Sequence, residues 1–266
     1  MQAKSLVLTL TFCLFTLHLG LSPAQGARID VVVDHGVEQD AATQAQAAVR
    51  ATIDFFQNTY GLGLDRDIRI RFTCDISNYK KAIQDWYGAS ESQASQQSHM
   101  SLGLQQGGTL IVNLGDIHSN FLQLFVLCHE IVHHFQGQMS GDRQGSLRWM
   151  AEGMADAVAA HVLEGIGVKA AGRYQNWWQE KLKKARDWPK LENLHTPKEW
   201  LAAVRAYGPN VTYKTSAMAV LTLGQWKGYR SLFTYLQALK SAGPEDAFYQ
   251  AFGARLNDFE KQFRPV

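Results

Sequence analysis

The sequence predicts an α+β chain in which a sheet-bearing half is followed by an all-helical half, and three observations carry that expectation. Short alternating or continuous apolar runs of strand length occur only before residue 119. Beyond it, apolar positions recur every three and four residues, and Gly, Pro or Asn punctuates most of the gaps. No internal repeat and no long flexible linker interrupts the order, so residues 27–266 are expected to form one unit, with 27–140 as the sheet-bearing lobe and 141–266 as the helical lobe.

Taken in order, Ile-Asp-Val-Val-Val at 29–33 reads as a strand. Residues 40–60 have helical spacing, with Ala47, Ile53, Phe55, Phe56 and Tyr60 ahead of the turn signal Gly61-Leu62-Gly63. Residues 66–73 alternate apolar and charged side chains strictly, the mark of a half-buried strand. A short helix over 78–87 ends at Gly88. The Ser-, Gln- and Gly-rich stretch 89–108 shows little periodicity and is expected to be a loop. Thr109–Asn113 is the last strand, closed by Gly115. Helices are then expected at about 119–137, 146–165, 170–186, 197–206, 212–226, 229–241, 244–252 and 256–263.

Composition narrows the function classes. The chain has 266 residues, 46% hydrophobic and 19% charged, which is ordinary for a globular protein and excludes collagen-like, coiled-coil and disordered classes. Its formal net charge of +2 leaves no excess for gripping nucleic acid or an anionic membrane. The first 26 residues have the layout of a secretory signal: Lys4, an uncharged apolar run from Leu6 to Leu21, then Pro23 and the small residues Ala24 and Gly26 before a cut ahead of Ala27. The alternative is an uncleaved signal anchor. Secretion or periplasmic export is therefore expected, with no membrane span in the mature chain. Cys74 and Cys128 then face an oxidising compartment, where they either pair or serve as small buried core residues.

Chemistry concentrates at His129-Glu130-Ile131-Val132-His133, an HExxH pattern. Histidines four apart on a helix share one face a turn apart and can reach a single metal ion. Phe121, Leu124, Phe125, Cys128, Val132 and Phe135 recur at helical spacing and supply the buried side. A catalytic zinc ion takes three protein ligands and leaves a fourth position open. Gln136 and Met139 stand where the metzincin extension has Gly and His, so the third ligand is sought on a following helix. Trp149-Met150-Ala151-Glu152-Gly153-Met154-Ala155-Asp156 offers Glu152, with 18 residues between it and His133.

HExxH-x18-E, with an aromatic residue three before the Glu and Gly-(apolar)-Ala after it, resembles the gluzincin zinc peptidases, especially the aminopeptidase-N-like branch. A further match is Val211-Thr212-Tyr213-Lys214-Thr215-Ser216-Ala217, similar to the segment in that branch where a tyrosine opens a helix; Tyr213 lies 61 residues after Glu152. The resemblance covers about residues 109–263. It implies a zincin-like two-lobed fold, one Zn²⁺ per chain held by His129, His133 and Glu152, and Tyr213 as stabiliser of the transition state. Thermolysin-like enzymes carry an Asp at the offset of Asp156, which is read as the acceptor that orients a zinc histidine. Glu130 is expected to be the general base, since it shares the helix face without being a ligand. The branch binds a free amino terminus through a Gly-Ala-Met-Glu-Asn type strand, and no such segment precedes His129, so endopeptidase action is expected. A peptide or protein substrate is expected to dock by strand addition along 109–113.

Other features are assigned no chemistry. His134 points to another side of its helix, and His35, His99, His118, His161 and His195 lack ligand spacing. Trp177, Trp178, Trp188 and Trp200 are expected to serve helix packing, and the sequon at Asn210 is read as coincidence. The rival function class is a zincin-fold binding or scaffolding protein without catalysis. A scaffold has no physical need for Glu130 or Tyr213.

Overall fold

The structure is a computed structural model that describes residues 27–116, 120–167 and 173–265. The expected signal at 1–26, and the expected helix starts at 119 and 170, lie outside the described residues. The chain is α+β and mostly helical, with one four-stranded mixed sheet. The sheet half runs β1 (Ile29–Val33), α1 (Gln39–Tyr60), β2 (Ile68–Thr73), α2 (Ile76–Tyr87), α3 (Glu91–Met100), β3 (Gly103–Gln106) and β4 (Thr109–Asn113). Helices follow: α4 (Asn120–Ser140), α5 (Arg148–Gly165), α6 (Tyr174–Lys184), α7 (Pro197–Tyr207), α8 (Pro209–Lys227), α9 (Tyr229–Ala238), α10 (Pro244–Phe252) and α11 (Leu256–Gln262).

The strand order is β1-β2-β4-β3, with β1, β2 and β4 parallel and β3 antiparallel to β4. Two sequence expectations change here. The stretch 89–108 is not a loop: it forms α3 and β3. Helix α3 buries little beyond Ala94 and Ser98, so it lacks an apolar stripe. It is started by a capping box, in which the Ser90 hydroxyl accepts from the Gln93 N–H while the Gln93 side chain accepts from the Ser90 N–H. Gly107-Gly108 then closes a two-residue hairpin between β3 and β4, with Gly107 at φ +59°, in the left-handed region that such a turn requires. The second correction concerns docking. Residues 109–113 are bonded on both sides, by β2 and by β3, so they cannot accept a further strand; the free edge on that side of the sheet belongs to β3.

The sheet's apolar residues, among them Ile68, Ile70, Phe72, Leu110 and Val112, are buried in one continuous core with α1, α4 and α5. Phe56 of α1 stacks on Phe135 of α4, ring centroids 4.2 Å apart. Leu127, Cys128, Ile131 and Val132 bury the same helix, which leaves only one side of α4 for polar chemistry. Helix α8 opens at Pro209, earlier than expected, so Tyr213 lies one turn inside it; proline's fixed φ and missing N–H suit that first turn. Cys74 and Cys128 are free thiols, and Cys128 is a buried core residue within 3.1 Å of the Thr52 hydroxyl.

The crossing of α5 and α8 depends on Gly153. A Cβ there would stand 2.4 Å from the Ser216 carbonyl oxygen, a backbone atom that cannot swing away. Gly153→Ala is expected to cost about 1–3 kcal/mol by overpacking, lowering Tm by about 2–4 °C per kcal/mol for a chain of this size. Thermal unfolding monitored by circular dichroism checks this, and an unchanged Tm would mean that the two helices separate at no cost.

Candidate metal centre

Three side chains from two helices converge. His129 and His133, one turn apart on α4, face Glu152 on α5. The two Nε2 atoms are 3.1 Å apart, and Glu152 Oε2 lies 3.5 Å from His129 Nε2 and 3.7 Å from His133 Nε2. A tetrahedral ion with bonds of about 2.0–2.1 Å spaces its ligand atoms about 3.3 Å apart, which this triangle matches. The ligand side chains are only 11%, 14% and 4% exposed, so an ion here is partly withdrawn from water yet open on one side.

Hydrogen bonds set the ligand atoms. His129 Nδ1 is 2.8 Å from Asp156 Oδ1. His133 Nδ1 is 2.8 Å from Gln136 Oε1, while Gln136 Nε2 donates to the Ala151 carbonyl at 2.9 Å. The Ala151 bond fixes the amide with its oxygen toward His133, so His133 Nδ1–H donates and Nε2 presents its lone pair. The Asp156 carboxylate imposes the same arrangement on His129. Arg148 holds the other Glu152 oxygen at 2.7 Å.

The electrostatics favour a cation. Burial raises the cost of ionising Glu152, but Arg148 and His133 outweigh it and hold the carboxyl well below its usual range. Burial likewise opposes charge on His129, yet Asp156 and Glu152 hold its imidazole well above its ordinary value. Wherever carboxylates draw a proton onto a ligand histidine this strongly, a metal ion of higher charge competes for the same lone pair. The donor set, its spacing and its field therefore fit a metal ion held by His129, His133 and Glu152.

The surroundings place two further groups in the same cleft of about 610 Å³, which also includes Asp156 on its wall. Glu130 is buried, and burial pushes its carboxyl up despite the pull of His129 and His133. Edge strand β3 approaches it closely, since a Cβ on Gly103 would fall 2.7 Å from Glu130 Cγ; only glycine lets the strand come this near. Tyr213 is half-buried, its ring 6.5 Å from that of His129 and edge-on to Trp200 at 4.9 Å. Burial and the Glu152 carboxylate hold the phenol well above its ordinary pKa, so it keeps its O–H.

All six residues singled out in the sequence thus meet at one place. Gln136 and Arg148 were missed as partners of the ligands; the i+3 offset from His133 and the i−4 offset from Glu152 were the only sequence signals for them. Trp178 and Trp200 are buried as expected, whereas Trp177 is 44% exposed and lines the cleft. His134 is buried away from the ligands. No protein-family model matches the chain, and no curated protein matches it.

Proposed function

We propose that this chain is an exported zinc-dependent peptidase of the gluzincin kind, cutting within peptide or protein substrates in a cleft between a sheet-bearing and a helical lobe. The observation that carries the reading is the His129–His133–Glu152 triangle with Glu130 and Tyr213 on the same cleft. When bound, zinc would supply Lewis acidity, acidifying a water molecule and polarising the substrate carbonyl. His129, His133 and Glu152 hold it, and Asp156 and Gln136 fix the imidazole orientations. The Glu130 carboxylate takes the proton from the attacking water and returns it to the leaving amine nitrogen; its burial, which raises its proton affinity, suits both halves of that task. Tyr213 donates its O–H to the oxygen on which charge develops. An extended substrate adds to the free edge of β3, which runs past Glu130 at Gly103.

Residues 27–266, incubated with a proteome-derived peptide library, are expected to create new internal termini that vanish with a chelator. Absence of any new terminus would overturn the reading. Tyr213→Phe is expected to lower kcat by about 10²–10³-fold with zinc retained, the loss typical of one such donor; steady-state kinetics on a cleaved library peptide measures it. Asp156→Asn should weaken zinc binding by about 10–100-fold, as loss of an outer partner does. Competition with a chromophoric chelator gives that affinity.

A further inference from the structure

Lys214 is a buried cation on the wall of the same cleft. The residue is 5% exposed, and its Nζ donates to Asn210 Oδ1 at 2.7 Å and lies 4.4 Å from the centroid of the Trp177 ring. Both partners are neutral. Asp116, Glu130 and Asp156 also line the cleft, but among the described residues none forms an ion pair with this ammonium, and Asp156 acts on it only through its longer-range field. Asp116 is taken up by Asn113 and Asp156 by His129. Its remaining neighbours are Pro209 and Asn210 at the opening turn of α8, where the helix dipole is also positive, and, from α6, the exposed Trp177 and the cationic Lys181.

A desolvated cation with no counter-ion in contact is costly to hold, and a carboxylate that enters beside it recovers part of that cost through a charge-assisted hydrogen bond. Resting on the peptidase reading, we propose that Lys214, with Asn210 and Trp177, forms a carboxylate-recognition subsite that makes the enzyme prefer substrates carrying a carboxylate near the scissile bond. The group is either the substrate's C-terminal carboxylate or an Asp or Glu side chain. Burial pushes the Lys214 pKa down to about 8, with Asp156 acting upward and Lys181 downward, so the ammonium is largely retained at neutral pH.

The test uses randomised hexapeptide pools, made with a free C-terminal carboxylate or amide, and with Glu or Gln fixed at each position in turn. The wild-type chain is expected to cleave the acid over its neutral partner with a kcat/KM ratio of about 10–100. A ratio confined to free acid against amide identifies the C-terminal carboxylate; one confined to Glu against Gln identifies the side chain. Lys214→Met should bring the ratio near one, and Lys214→Arg should retain a preference. If Lys214 only supports the fold, both members of a pair lose rate equally and the ratio stays put, which overturns the proposal, as does a wild-type ratio of one. The same pools, fluorescein-labelled, are titrated into zinc-loaded Glu130→Gln protein by anisotropy. An acid preference in binding that disappears with added Lys214→Met, in a chain that cleaves nothing, would keep the subsite and sink the peptidase reading. Cleavage without preference would do the reverse.

Discussion

On the peptidase reading, replacing Glu130 by Gln should lower kcat by about 10²–10⁴-fold, the contribution typical of a positioned general base, and should leave zinc binding intact. The expectation follows from geometry. Glu130 sits between the two histidines in sequence but is absent from the group of converging ligand atoms, so its loss removes a proton acceptor and leaves the triangle intact. Gln is nearly isosteric, which matters because Gly103 and Glu130 pack against each other without slack. Hydrolysis of a cleaved library peptide and elemental analysis of the same sample check both halves. Full activity in the variant would remove Glu130 from the mechanism; loss of metal would place it in the wrong role.

Glu152→Ala has the larger consequence, because it deletes a ligand and a counter-charge together. Zinc binding should weaken by more than the 10–100-fold typical of losing an outer partner, and cleavage should fall to background. The change also strands Arg148, whose Nη2 bonds Glu152 Oε1. Removing one partner of a fully buried pair costs about 3–5 kcal/mol; the Arg148 side chain is 37% exposed, so the penalty here should be smaller. Calorimetric zinc titration and thermal unfolding of the variant separate the two effects. Wild-type zinc affinity would show that Glu152 is no ligand.

Much of the site was legible because its information is local. His129 and His133 are one turn apart, Asp156 is one turn beyond Glu152, and helix periodicity alone puts such pairs on a common face. Packing α5 against both α4 and α8 was less direct: only the ordered blocks around Glu152 and Tyr213 pointed to it, while the close approach of α5 to α8 at Gly153 has no sequence period. Gln136 and Arg148 were illegible because a polar residue beside a motif has many partners in reach, and only tertiary packing selects one. The sheet half shows the same division. Strands β1, β2 and β4 announce themselves by apolar patterning, whereas α3 is a polar helix held by its cap and β3 is a short edge strand fixed by a Gly-Gly hairpin. Reading that stretch as a loop also put substrate docking along 109–113 and not on β3, since strand order is a property of long-range pairing.

The most direct measurement is elemental analysis of purified residues 27–266 before and after chelation, with cleavage of a library peptide followed on the same samples. The expected result is one zinc ion per chain, removed by the chelator together with activity, and both restored by stoichiometric Zn²⁺. A chain that binds no zinc, or that cleaves equally well after its metal has been removed, would contradict the assignment of His129, His133 and Glu152 as a catalytic zinc site.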